Sequence, residues 1–252
     1  MTWNWMITAD GLEHLRCDLL ADFDHGFFTR AAAPRRPEQL TEAIAPHAST
    51  HRLKQVHGNL VLRAGEAGVE EPYAEADGLA SHDPGQAVWV CSADCTPALI
   101  ADLSTGQVAA VHAGWRGTAA RILPEAIATL QAQGSQLANL RVALGPAVTG
   151  PVYQVETAVA LETARSIAPE LDDEQLLTHL SLLPDSPVTA DVDPGRQRLD
   201  VRRVNELQLL GLGLAPQQIA IAPHCTLSEP ERFFSWRRDG VKAVQWSGIV
   251  SA

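Results

Sequence analysis

The clearest hydrophobic patterning lies between Ala87 and Leu144. Ala87–Cys91 forms one strand-like block, and Pro97–Ala101 and Val108–Val111 are apolar blocks bracketing Ser104-Thr105-Gly106, which predicts a hairpin. Downstream, Leu123, Ala126, Ile127 and Leu130 recur at the spacing of one helix face, and Gly134 supplies the stop. Thr118 is the expected cap of that helix. Val142–Leu144 then reads as a strand halted by Gly145-Pro146.

The flanks are less regular. Phe27-Phe28-Thr29-Arg30 ends a short strand-like segment, residues 31–38 read as a loop, and a helix is expected from near Pro37. His51–Leu62 reads as a strand, a turn at Gly58-Asn59 and a second strand, followed by a polar loop over 66–75. Glu156–Ile167 and Leu199–Leu210 carry helical patterns, the second closed by Gly211 and Gly213. The stretch between them, 169–198, is acidic and then proline-rich, and reads poorly as regular structure. Gln218–Ala222 is a strand leading into Pro223-His224-Cys225. Strands and helices mix without strict alternation around a central hairpin, so the expected class is α+β. No repeat or low-complexity linker is visible, and the chain is expected to form one catalytic domain over residues 1–252.

Composition narrows the partners. A net charge of −11 argues against nucleic acid. No apolar run approaches the roughly 20 residues of a membrane span, and Met1–Arg16 has no basic-then-apolar leader pattern. Four cysteines in 252 residues do not make a secreted disulfide framework. A cytoplasmic, monomeric protein with reduced thiols is expected.

Three residues carry the candidate chemistry. His57, Cys95 and His112 each follow an apolar stretch and sit beside glycine, proline or small residues, where side chains can face a cleft. Two imidazoles and one thiolate make a three-ligand zinc set with a fourth position left open, which is the catalytic rather than the structural pattern. Their spacing, 38 and then 17 residues, fits no zinc finger and requires assembly by folding. Taken singly, each has a plainer role. A lone cysteine is more often a small core residue. A strand-end histidine is more often merely hydrogen-bonded. The glycine-rich turn after His112 is a common strand-to-helix connection. The backbone N–H groups of that turn, with Arg116, could instead hold an anion such as phosphate. Cys91 and the pair His224-Cys225 are weaker candidates, and Cys17 has no motif around it.

Six blocks occur in a telling order: Leu53-Lys54-Gln55-Val56-His57-Gly58, Ala76-Asp77-Gly78-Leu79, Ser92-Ala93-Asp94-Cys95-Thr96-Pro97, Val111-His112-Ala113-Gly114-Trp115-Arg116-Gly117, Leu144-Gly145-Pro146-Ala147 and Phe234-Ser235-Trp236-Arg237-Arg238-Asp239-Gly240. Together they resemble the YfiH-like family, also called laccase-domain or polyphenol-oxidase-type purine nucleoside phosphorylases, from about His25 onward. The resemblance implies two α+β subdomains in a four-layer α/β/β/α arrangement of mixed sheets. It implies Zn2+ on His57, Cys95 and His112, with copper as the competing metal. It implies phosphorolysis of adenosine, inosine, guanosine and methylthioadenosine, and deamination of adenosine. Two departures stand out. Relatives carry Gly-Gly-x-Ser where this chain has Ala31-Ala32-Ala33-Pro34, and Thr-Gly-Arg where it has Lys242-Ala243-Val244.

On that reading Asp94 is the candidate proton shuttle beside the metal-bearing Cys95, His57 and His112, because proton transfer needs a positioned carboxylate. Arg116, Arg30 and Gln55 are the candidate substrate contacts, the two arginines for phosphate. Three rivals remain. A copper-binding, laccase-like polyphenol oxidase would need more than nine histidines with no His-x-His pair offer. A hydrolase of cell-wall peptides would use Cys95 as nucleophile and His112 as base. A binding protein would carry the metal structurally.

Overall fold

A computed structural model describes every residue except Met1 and Val69, so the loop over 66–75 is described apart from Val69. Among the described residues, two six-stranded sheets are seen. The first runs β1 (Trp3–Ile7), β2 (Glu13–Cys17), β3 (His25–Phe28), β15 (Gln245–Val250), β7 (Gln86–Ser92), β4 (Ser49–His51). The second runs β14 (Ile219–Ile221), β10 (Leu140–Leu144), β8 (Thr96–Asp102), β9 (Val108–Ala113), β6 (Gly78–Ala80), β5 (Val61–Arg63). Both are mixed: β4–β7, β5–β6 and β10–β14 pair parallel, and the remaining neighbours pair antiparallel.

Strand alternation sorts the side chains into layers. Val88 and Val90 of β7, Leu99 and Ala101 of β8, and Val108 and Ala110 of β9 share the core between the sheets. The intervening residues point outward. Ala98, Ile100, Ala109 and Val111 meet Ile122, Leu123, Ala126, Ile127 and Leu130 of α3 (Ile122–Ala132), together with Leu209 of α6 (Val201–Gly211). Ala87 and Trp89 meet Leu40 and Ile44 of α1 (Pro37–Ile44). The result is the expected α+β fold with four layers, α/β/β/α. Both faces of the central strands are covered, which explains why they read as nearly continuous apolar runs.

A third sheet, β11 (Gln154–Glu156), β13 (Arg196–Leu199) and β12 (Val188–Ala190), packs with α4 (Thr157–Arg165) and α5 (Asp173–Ser181) around Val155, Ala164, Leu176, Leu180 and Leu199. It flanks α2 (Trp115–Ala119), the short helix that follows His112.

The predicted central hairpin is β8–β9 with Leu99 opposite Ala110. Three expectations are corrected. Residues 51–62 are not two strands about a turn: β4 ends at His51 in the first sheet, β5 begins at Val61 in the second, and the chain between them is mostly irregular. Thr118 does not cap α3. It lies inside α2, and its hydroxyl accepts from Asn205 Nδ2 at 3.0 Å, tying α2 to α6. About half of residues 169–198 is regular, holding α5 and β12 and running into β13. Asp172 caps α5 by accepting from the Gln175 N–H at 2.8 Å. All four cysteines are free, and no helix among the described residues is long and apolar enough to cross a membrane.

Candidate metal centre

The site lies where β7, β8 and β9 end. His112 shares the inward parity of Val108 and Ala110, one residue before β9 gives way to Gly114 and α2. Cys95 sits in the turn between β7 and β8, and His57 in the irregular segment between β4 and β5. One ligand atom from each lies within 4.8 Å of the others. The two imidazole rings meet edge to face, centroids 4.8 Å apart. Burial is graded, with His112 buried, Cys95 half-buried and His57 exposed, so the cluster opens to one side.

Asp77 sets this geometry. Its carboxylate accepts the backbone N–H groups of Val56 (3.1 Å), His57 (2.9 Å) and Gly58 (2.7 Å), and also bonds His112 Nδ1 at 2.8 Å. One buried carboxylate therefore fixes the loop that carries one imidazole and the ring orientation of the other. With Nδ1 donating to Asp77, His112 Nε2 is left as the ligand atom, the arrangement that supports histidine ligands in metal sites. His57 takes φ 63°, a left-handed conformation that the Asp77 bonds hold in place. Gly114 completes the cradle, because a Cβ there would meet Cys95 Sγ at 2.8 Å and His57 Cδ2 at 3.5 Å.

The charges agree with a ligand set. Burial pushes the Cys95 thiol up, but the adjacent His112 and His57 outweigh it and hold the thiol at about 6. Burial pushes the His112 imidazole down, but Cys95 and Asp77 outweigh it and raise the imidazole to about 9. Burial also raises the Asp77 carboxyl, and the His112 and Gly58 hydrogen bonds more than reverse this. In the metal-free site a Cys95 thiolate thus faces a protonated His112 imidazole held by the Asp77 carboxylate, and a borderline-soft divalent cation would bind there by displacing the His112 proton.

Above the cluster is a cavity of about 610 Å³, large enough for a nucleoside-sized ligand. Gln55 and Arg116 line it. Gln55 is held by two bonds to the Cys91 backbone, 2.8 and 2.7 Å, and Arg116 lies over the Trp115 ring at 4.3 Å. Asp94 lines the cavity but turns its carboxylate away from the cluster. It accepts from Thr226 Oγ1 (2.7 Å), Ser235 Oγ (2.9 Å) and the Arg237 N–H (2.7 Å). Its adjacency to Cys95 in sequence pointed to a shuttle, but these three bonds tie the carboxylate to the segments around Thr226 and Ser235–Arg237. Arg30 is not among the lining residues, because it stacks over Phe234 at 4.6 Å and donates to the Pro230 carbonyl at 2.6 Å. Cys91 lies outside the ligand cluster, its thiol pushed up to about 12 by burial. His224 is paired with Glu229 at 2.8 Å, away from the cavity.

Sequence reasoning gave no role to Asp77, Trp115 or Tyr153, and it named Arg237 only, with Arg238, as a remaining basic group near Lys242-Ala243-Val244. Asp77 stood in a quoted block, where an acid between alanine and glycine ahead of an apolar strand was the available signal. Tyr153 lines the cavity from the third sheet's side, and no local pattern announces it.

A sequence model described as multi-copper polyphenol oxidoreductase laccase matches residues 30–251. The chain is 51% identical to a purine nucleoside phosphorylase of Synechocystis sp. over 99% of its own length and 97% of the relative's. It is 33% identical to one of Mycobacterium bovis, covering 86% of this chain and 78% of that one. The crystal structure of YlmD from Geobacillus stearothermophilus superposes with a TM-score of 0.82 at 25% identity, covering 98% of both chains.

Proposed function

The chain belongs to the multi-copper polyphenol oxidoreductase laccase family, and on that premise we propose that it is a zinc-dependent purine nucleoside phosphorylase that also deaminates adenosine. The observation that carries the reading is the His57–Cys95–His112 cluster beneath a nucleoside-sized cavity. The 51% identity to the Synechocystis phosphorylase supports the substrate class. Adenosine, inosine, guanosine and methylthioadenosine are the proposed substrates, with phosphate or water as the second reactant.

A zinc ion held by His57, Cys95 and His112 supplies Lewis-acid polarisation of an oxygen or activation of water at neutral pH. The protein's own residues do the rest. Asp77 holds His112 and the 56–58 backbone in register. Trp236 gives the cavity a flat face for a purine ring, while the Trp115 and Tyr153 rings carry the guanidinium groups of Arg116 and Arg237. Arg116 supplies positive charge for phosphate. In phosphorolysis a phosphate oxygen bonds to the anomeric carbon as the glycosidic C–N bond breaks. The bonding pair leaves with the purine, which takes up the proton phosphate carried, giving free base and sugar 1-phosphate. In deamination water replaces the amine of adenosine, giving inosine and ammonia.

The family's description favours a copper reading. Two histidines and one cysteine do not make a multicopper set, and no other metal-ligating cluster is found among the described residues. The deciding experiment is metal analysis of protein purified without added metal, alongside His57→Ala, Cys95→Ala and His112→Ala. One zinc per chain, lost together with turnover in each variant while thermal melting stays cooperative, is expected. Full activity in any one of the three would overturn the assignment.

A further inference from the structure

The chain carries a net charge of −11, yet the cavity over the ligand cluster is basic. Arg116, Arg237 and Lys242 line it, and none of the three forms an ion pair among the described residues. The one Asp or Glu among the lining residues is Asp94, whose oxygens are taken by Thr226, Ser235 and the Arg237 backbone.

Two of the cations are mounted alike. The Arg116 guanidinium lies 4.3 Å from the Trp115 ring centroid, and that of Arg237 lies 4.9 Å from the Tyr153 ring centroid. A guanidinium stacked on a ring keeps its N–H groups in plane, free to bond acceptors at its edge. Arg237 is fixed twice more, through its backbone N–H to Asp94 and through Nη1 to the Gln154 carbonyl at 2.7 Å. Its neighbour Arg238 is spent differently, on the carbonyls of Thr226, Leu227 and Phe233 and on Asp239. Arg238 therefore braces the loop, and Arg237 faces the cavity.

We propose that Arg116 and Arg237 form a two-pronged clamp for a phosphate oxyanion, with Asp94 as the positioning residue that sets Arg237. The inference rests on the phosphorylase reading for the identity of the anion as co-substrate. It assigns the role expected of Arg30 to Arg237, on the wall that also carries Lys242, Ala243 and Val244. The shared chemistry is a tetrahedral, doubly charged phosphate group, either free or esterified on a nucleotide.

The test titrates the zinc-loaded full chain with inorganic phosphate and, separately, with adenosine 5′-monophosphate. Arg237→Met and Arg116→Met are each expected to weaken phosphate binding at least about tenfold, the loss of one charge-assisted contact. Zinc content and inosine binding stay at the wild-type level. Arg237→Lys, which keeps charge without the planar fork, falls between, and it serves if the methionine variant does not fold. Asp94→Asn is expected to raise the KM for phosphate with kcat and its pH profile held; loss of one limb of that profile would instead mark Asp94 as a proton shuttle and overturn its assignment. Competition between the two ligands places free phosphate in the clamp. Binding of the nucleotide alone, lost in Arg237→Met, keeps the clamp and makes the esterified group its ligand. Wild-type phosphate affinity in Arg237→Met, or no binding of either ligand to the wild type, overturns the clamp. Arginine-dependent phosphate binding by a protein that cleaves no nucleoside would overturn the phosphorylase reading and leave the clamp standing.

Discussion

Cys95 and His112 perturb each other in opposite directions, and the consequence is measurable in the metal-free protein. With the Cys95 thiol held at about 6, below the ordinary thiol range, thiolate appears as pH rises through 6 rather than through 9. Alkylation of Cys95 by iodoacetamide is therefore expected to rise with an inflection near pH 6, and zinc is expected to suppress it. An inflection near pH 9, with no zinc protection, would contradict the pairing. Asp77→Asn tests the support beneath the ligands. The variant keeps the volume but cannot accept all four bonds, so zinc affinity measured by chelator competition is expected to fall about 10- to 100-fold. Unchanged affinity would leave Asp77 a purely structural residue. His57, Cys95 and His112 were legible as a set only through the ordered blocks around them, since each taken singly has a plainer role. The direction of Asp94 was not, since its carboxylate is held by Thr226, Ser235 and Arg237, at least 132 positions away. Nor was the fate of Arg30, which depends on Phe234, a residue 204 positions away.

The central strands were legible because they are buried on both faces and flanked by turns. The peripheral ones were not. β4 and β5 are three residues each, and their burial is incomplete. Arg196–Leu199 is polar along most of its length, and it becomes a strand because it lies between β11 and β12. β15 begins soon after Gly240 and carries Gly248 in mid-strand, which reads as a weak strand locally. That glycine has a packing reason: a Cβ would meet Trp89 ring atoms at 2.3 to 2.6 Å. Trp89 is fully buried and donates from Nε1 to Thr41 Oγ1 at 2.8 Å, locking α1 onto the first sheet. Gly248→Ala is accordingly expected to cost about 1–3 kcal/mol by overpacking, which a thermal melt reads as a loss of roughly 3–10 °C. A melting temperature equal to wild type would mean that the β15–β7–α1 packing is looser than described.

Taken whole, the molecule places a divergent set of loops at one end of a two-sheet sandwich. The sandwich supplies His112 and the turn carrying Cys95, an irregular crossing between its sheets supplies His57, and the third sheet supplies the Tyr153 wall. Such an assembly is invisible to local pattern because its parts come from positions 55 to 244, and the ordered motif blocks revealed it only through resemblance. The four-layer class could be expected for the same reason, whereas the division of strands between the two sheets needed the structure. The central claim is that this end of the molecule breaks purine nucleosides over a zinc site. Product analysis of adenosine incubated with the zinc-loaded protein, with and without phosphate, tests it directly. Adenine and ribose 1-phosphate are expected when phosphate is present, with inosine from the hydrolytic reaction, and all products are lost in Cys95→Ala. Adenosine left unchanged under both conditions would contradict the account.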